Sequence, residues 1–174
     1  MQREIYLAGG CYWGTEKFLS SLTGVVRTEV GFANGFVESP SYDAVKHTDT
    51  GHAETVHVTY DDSVIALCTL LELFYRIIDP LSVNRQGLDV GDQYRTGIYT
   101  VSDGDLAVAR DSLRRLSERL SQPVAVECEP LRCFYTAEEY HQKYLDKNPG
   151  GYCHVSWGMI AKAKAWRPGD STEL

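Results

Sequence analysis

The apolar residues of this 174-residue chain fall into short segments that switch repeatedly between a two-residue and a 3.6-residue period. Residues 5–7 form a short apolar strand that runs into Gly9-Gly10. Residues 12–22 carry Trp13, Phe18, Leu19 and Leu22 at near-helical spacing, and Gly24 follows as a stop. Residues 25–32 read as a strand with Val26, Val30 and Phe32 on one face. In residues 55–60, Val56, Val58 and Tyr60 alternate with Thr55, His57 and Thr59. Ser63 can cap a helix whose stripe is Val64, Leu67, Cys68, Leu71 and Phe74. Residues 98–101 and 124–128 are further strands. Between them, residues 105–120 predict a helix with Leu106, Ala109, Leu113, Leu116 and Leu120 inward. Residues 137–146 read as helical and end at Asn148-Pro149-Gly150-Gly151. The order strand, helix, strand, strand, helix, strand predicts an α+β fold, a ferredoxin-like split β-α-β sandwich. The polar residues 158–174 are expected to be irregular.

No repeat or linker divides the chain, so residues 1–174 are expected to form one domain. Two stretches, residues 33–52 and 79–95, predict long loops, and long loops inside a compact domain tend to be functional. The net charge of -7 disfavours nucleic-acid binding. The N-terminus lacks the pattern of a signal peptide, and the most apolar stretch, residues 64–75, is too short to span a bilayer. A cytoplasmic monomer is expected. The five cysteines, Cys11, Cys68, Cys128, Cys133 and Cys153, include no Cys-x-x-Cys pair. That argues against a disulfide framework or a zinc site and leaves buried fillers or reactive thiols.

Four motifs carry chemistry. In Gly9-Gly10-Cys11-Tyr12-Trp13-Gly14, a cysteine stands at a strand-to-helix turn. The free N–H groups there favour thiolate, so a lowered Cys11 pKa is expected. The flanking Tyr12 and Trp13 could pocket a sulfur-bearing group. In Thr50-Gly51-His52-Ala53-Glu54, Glu54 can be a general acid if burial raises its pKa, and His52 competes for that task. The polar, glycine-punctuated residues 86–95 bring Asp89 and Tyr94, which could bind a polar oxygen. In Asn148-Pro149-Gly150-Gly151-Tyr152-Cys153, a cysteine lies in a glycine-rich segment that could swing toward a second thiol.

Together these motifs resemble the A-type methionine sulfoxide reductases, from about Ile5 to Cys153. The strongest matches are Gly10-Cys11-Tyr12-Trp13-Gly14, Thr50-Gly51-His52-Ala53-Glu54, Gln93-Tyr94-Arg95, and Asn148-Pro149 with Gly151-Tyr152-Cys153. Pro40-x-Tyr42, Asp79-Pro80 and Tyr140-His141-Gln142 add agreement. The resemblance implies that Cys11 attacks the sulfoxide sulfur and that Glu54 protonates the departing oxygen. Tyr42 and Tyr94 would hydrogen-bond that oxygen, and Asp89 would support the site. Tyr12 and Trp13 would cage the S-methyl group, with His52 also on the substrate side. Cys153 would resolve the Cys11 sulfenic acid as a disulfide. It further implies action on the S epimer, no metal or bound organic cofactor, and recycling by an external dithiol, thioredoxin.

Several positions depart from the family pattern. Tyr12 stands where phenylalanine is commoner, and its hydroxyl needs a partner if buried. Phe32-Ala33-Asn34-Gly35 replaces a tyrosine-x-glycine-glycine run. Ser39 replaces an asparagine, Lys46 and His47 replace a cysteine and a serine, and Leu88 replaces an asparagine beside Asp89. No cysteine follows Cys153, so a two-cysteine cycle is expected, with Cys128 or Cys133 as alternative resolving thiols. Cys68, on its helix stripe, is expected in the core. The competing enzyme class is a cysteine hydrolase or acyltransferase pairing Cys11 with His52 or His141.

Overall fold

The computed structural model describes residues 1–174. Its centre is a six-stranded sheet of β1 (Gln2–Gly9), β2 (Val25–Ala33), β3 (Ala53–Asp61), β6 (Thr96–Thr100), β7 (Glu127–Pro130) and β8 (Phe134–Thr136), in the order β7-β6-β1-β3-β2-β8. Two very short strands, β4 (Arg85–Gln86) and β5 (Asp89–Val90), make a separate hairpin. The helices are α1 (Tyr12–Ser20), α2 (Tyr42–His47), α3 (Leu67–Phe74), α4 (Asp103–Leu120), α5 (Tyr144–Lys147) and α6 (Trp157–Ala165). All neighbours pair antiparallel except β6 and β7, which α4 joins as a parallel crossover. β1 and β2 are joined by α1 and lie on either side of β3. β7, which overlaps the strand expected at 124–128, and the unexpected β8 widen the sheet beyond the four strands of the ferredoxin-like order.

Period-2 alternation explains the two faces. Ile5 and Leu7 of β1, Val30 and Phe32 of β2, Val56, Val58 and Tyr60 of β3 and Ile98 of β6 point into the helix-covered core. Tyr6, Ala8, Ala33, Ala53 and Tyr99 point the other way, under Leu131 and Phe134. Glu54 precedes Val56 by two residues, so its side chain shares the helix-covered face and is buried there. The end of β1 and the starts of β3 and β6 meet at one end of the sheet, because β3 and β6 both run antiparallel to β1. Cys11 follows β1 there, and Glu54 opens β3.

Several expectations shift. Val26 does not join Val30 and Phe32: a bulge between Val25 and Arg27 turns it outward, and it is exposed. Ser63 does not cap α3. It bonds to Asp61 in a turn, and the helix begins at Leu67 after Ala66. The later start rotates the stripe to Leu67, Leu70, Leu71 and Phe74, so Cys68 and Val64 are exposed rather than core. Leu120, at the end of α4, is also exposed, whereas Leu106, Ala109, Leu113 and Leu116 are buried as expected. The stretch 33–52 contains α2, capped by Ser41. The stretch 137–146 is not one helix: a 3-10 turn (Glu139–His141) is separated from α5 by Lys143, whose φ of 52° breaks the hydrogen-bond ladder. Residues 157–165 form α6, capped by Ser156, which buries Ile160 and Ala163 beside Trp166. Burying Ile160 contributes about 1.5–3 kcal/mol toward docking this helix, whose otherwise polar surface hides the pattern. No helix is long and apolar enough to cross a membrane.

Candidate active site

Cys11 is the N-cap residue of α1 and only 7% exposed. Gly10 makes the turn possible with a φ of 86°, and a Cβ there would stand 2.7 Å from the Gln86 side chain. The expected lowering of the Cys11 pKa is reversed. Burial pushes the thiol well above its ordinary range, the Glu54 carboxylate adds to this when ionised, and the Trp13 backbone hydrogen bond pulls only weakly the other way. A helix terminus stabilises a thiolate only by a partial charge, and here the loss of water outweighs it.

Glu54 is 1% exposed. Its Oε1 accepts the Tyr12 backbone N–H at 3.2 Å, and its Oε2 is buried with no partner. Burial pushes its pKa up to about 8, with nearby Asp89 acting in the same direction. At neutral pH the site therefore holds two protons, one on sulfur and one on carboxyl. The burial that raises Glu54 is the condition under which the carboxyl was expected to serve as an acid.

Aromatic side chains wall this pair. Tyr12 is fully buried, tilted against Phe32 at 5.8 Å and stacked on Tyr42 at 6.4 Å. Its hydroxyl is buried without a partner, which costs about 1–3 kcal/mol. Trp13 stacks on Tyr144 at 3.7 Å and donates its indole N–H to His141 Nδ1 at 2.9 Å. Tyr42 packs on His141 at 4.2 Å and is held at its backbone by Glu138. Tyr94 ends the 3-10 turn before β6. Burial first, then Glu54, Cys11 and Asp89, push the pKa values of Tyr42 and Tyr94 upward, so both phenols keep their protons as donors. Asp89, on β5, accepts a hydrogen bond from Tyr152 at 2.9 Å and ties the hairpin to the segment that carries Cys153.

All five cysteines are free thiols. Cys153 Sγ donates to the Val155 carbonyl at 3.0 Å. A methyl group on Gly14 would stand 3.1 Å from that sulfur, so Cys153 lies against the first turn of the helix that Cys11 caps. Cys128 sits on β7 opposite Ile98, and Cys133 bonds to the Gly35 carbonyl at 3.6 Å. Only Cys153 is placed against α1 beside Cys11.

His52 braces a loop. It is buried, its Nδ1 accepts the Gly35 N–H at 3.1 Å, and its Nε2 donates to the Val37 carbonyl at 2.7 Å. It lies just before β3, and both of its ring nitrogens are taken up by the Gly35–Val37 loop. His52→Ala should cost about 2–4 kcal/mol of stability, from two lost hydrogen bonds and a cavity. Chemical denaturation checks this; an unchanged midpoint would contradict the bracing role.

Sequence reasoning noted His141 but missed its part as the partner of Trp13; an aromatic beside the thiol was the available signal. Because the indole N–H only donates, His141 Nδ1 is the acceptor and Nε2 carries the proton. Neither His52 nor His141 then has a lone pair to offer Cys11, so neither histidine of the hydrolase reading can act as its base. Tyr152, Gln86 and His154 were also missed, since their roles depend on contacts remote in sequence. No group of three or more His, Cys, Asp or Glu side chains could hold a metal ion.

A buried thiol beside a protonated carboxyl, walled by aromatics and backed by a second thiol, defines a thiol oxidoreductase of polar, sulfur-bearing substrates. The family described as "Peptide methionine sulfoxide reductase" matches residues 3–168. "Peptide methionine sulfoxide reductase MsrA" of Lachnoclostridium phytofermentans is 52% identical over 164 residues, 94% of this chain and 99% of that protein. The crystal structure of reduced Mxr1 from Saccharomyces cerevisiae superposes with a TM-score of 0.84 at 41% identity, over 89% of this chain and 91% of that one. Mxr1 in complex with Trx2 matches with a TM-score of 0.59 at 28% identity, over 82% and 84% of the two chains. The chain belongs to the peptide methionine sulfoxide reductase family and shares its mixed α/β fold with a six-stranded sheet. Its activity is thiol-dependent reduction of methionine sulfoxide.

Proposed function

We propose that the chain, as one catalytic domain, reduces methionine-S-sulfoxide through a Cys11 sulfenic acid and a Cys11–Cys153 disulfide. The observation that carries this reading is Glu54. Its carboxyl is buried, protonated up to about pH 8, and has Oε2 free of any partner beside the Cys11 helix start. The sulfoxide oxygen takes a hydrogen bond from Glu54 and from the Tyr42 and Tyr94 phenols. The S-methyl group sits between Tyr12 and Trp13, where sulfur packs favourably on aromatic edges. Hydrogen bonding to oxygen makes the sulfur electrophilic, and Cys11 Sγ attacks it to form a transient S–S bond. Glu54 gives its proton to the sulfoxide oxygen and regains one from the Cys11 thiol. The hydroxyl passes from the methionine sulfur to Cys11 Sγ as the S–O and S–S bonds to methionine break, leaving methionine and Cys11 S–OH. Asp89 supports the site through Tyr152. The central strand order β6-β1-β3-β2 supports the ferredoxin-like label for the core of the sheet.

Thioredoxin is the proposed reductant of the disulfide, supported by the solved complex of Mxr1 with Trx2. No bound cofactor is required, because the two thiols supply both electrons. We read the protein as a cytoplasmic monomer. Cys153→Ser should release one equivalent of methionine per enzyme and then stop under thioredoxin and its reductase, because no disulfide forms for thioredoxin to attack. Full thioredoxin-driven cycling in that variant would move the resolving role to Cys128 or Cys133.

A further inference from the structure

His154 follows the second thiol and is not used by the first half of the reaction. Its Nε2 lies 2.9 Å from the Gly9 carbonyl, which can only accept, so Nε2 carries the ring proton. Its Nδ1 is then a lone pair, and that atom is buried with no partner. A methyl group on Gly14 would stand 3.0 Å from Nδ1 and 3.1 Å from Cys153 Sγ. Nδ1 and the thiol therefore border the same space beside Gly14, in the first turn of α1. The thiol itself is a poor nucleophile at rest. Burial raises its pKa, and its hydrogen bond to the Val155 carbonyl holds the proton on sulfur.

We infer that His154 is the base that takes the proton of Cys153 as that thiol attacks the Cys11 sulfenic acid. The inference rests on Cys153 being the resolving thiol. The Cys153 S–H bond breaks and its proton goes to His154 Nδ1. The sulfur attacks Cys11 Sγ, the S–S bond forms, and the S–O bond of the sulfenic acid breaks. The oxygen leaves as water with a proton returned from the imidazolium, so the step is electron-balanced and needs no other reactant. The charged groups around the ring are Asp89, together with Arg76 and Asp79, which line with His154 a cavity of about 380 Å³. Burial outweighs Asp89 and the Gly9 bond and lowers the His154 pKa, so the ring is neutral and able to accept at pH 7.

The test is a rapid-quench experiment on the full chain mixed with one equivalent of methionine sulfoxide. Released methionine and lost thiols are followed separately. His154→Gln keeps an amide N–H for the Gly9 carbonyl and removes the base. The ratio of disulfide formation to methionine release should fall roughly tenfold to a hundredfold at pH 7. Disulfide formation should be nearly level above pH 7 in the native protein, but climb about tenfold per pH unit in His154→Gln, as expected for unassisted thiolate attack. Parallel pH profiles in the two proteins, or an unchanged ratio, would overturn the inference. If His154→Gln does not fold, the native profile decides alone: a tenfold climb per unit through neutrality shows that no base acts. Cys153→Ser is run beside it. Loss of two thiols in that variant would overturn the Cys153 reading itself, an outcome distinct from parallel profiles with Cys153 required.

Discussion

Cys11→Ser should form no methionine, with a first-turnover rate at least about a thousandfold below native. Serine nearly matches cysteine in size, and Cys11 holds its neighbours through its backbone. Its carbonyl accepts from the Thr15 N–H at 3.4 Å and from the Thr15 hydroxyl at 3.2 Å. The fold should therefore survive, and the loss should be chemical. A serine hydroxyl is a far weaker nucleophile than sulfur and cannot accept the substrate oxygen as a sulfenic acid does. Free-thiol counting after substrate addition gives the matching result: native protein loses two thiols, Cys11→Ser none. Methionine formed by Cys11→Ser at a substantial rate would assign the attack to another thiol.

Glu54→Gln should slow methionine release about a hundredfold to a thousandfold, the range of a lost general acid. Glutamine keeps the acceptor for the Tyr12 N–H and the volume of the buried side chain, but cannot deliver a proton. The pH profile separates this from a packing defect. In the native protein the acid form of Glu54 is the reactive one, so the first-turnover rate should fall as pH rises through about 8. That alkaline limb should vanish in Glu54→Gln. Stability should change in a linked way. The folded protein holds the Glu54 proton more tightly than the unfolded chain, whose carboxyl has its ordinary value near 4.5. Folding stability from this group therefore falls as pH rises from about 4.5 to about 8. Glu54→Gln should gain stability relative to native at pH 8 and little at pH 4. A native-like rate with the alkaline limb retained would remove Glu54 from proton delivery.

Where chemistry rested on local spacing, the sequence was legible. The alternation of Val56, Val58 and Tyr60 marked the strand that Glu54 opens, and Gly10 before Cys11 marked the turn at the helix start. Errors arose where a distant partner decided the outcome. His52 looked like an acid-base group because its two bonds, to Gly35 and Val37, lie across a loop whose path no periodicity reveals. The Cys11 pKa was misjudged because the helix start is visible in sequence and the burial is not. Cys68 was misplaced by phase alone: four residues spent in a turn rotated the stripe of α3. The helix at residues 157–165 shows only Ile160 and Ala163 as its buried residues, too few to stand out in a window rich in lysine and alanine.

The central claim is that Cys11 and Glu54 reduce one epimer of methionine sulfoxide. Incubating the reduced protein with racemic methionine sulfoxide and a dithiol, then resolving the two epimers that remain, tests it directly. Selective loss of the S epimer, absent in Cys11→Ser, is the predicted result. Persistence of both epimers, with Cys11 shown to be reduced and intact, would contradict it.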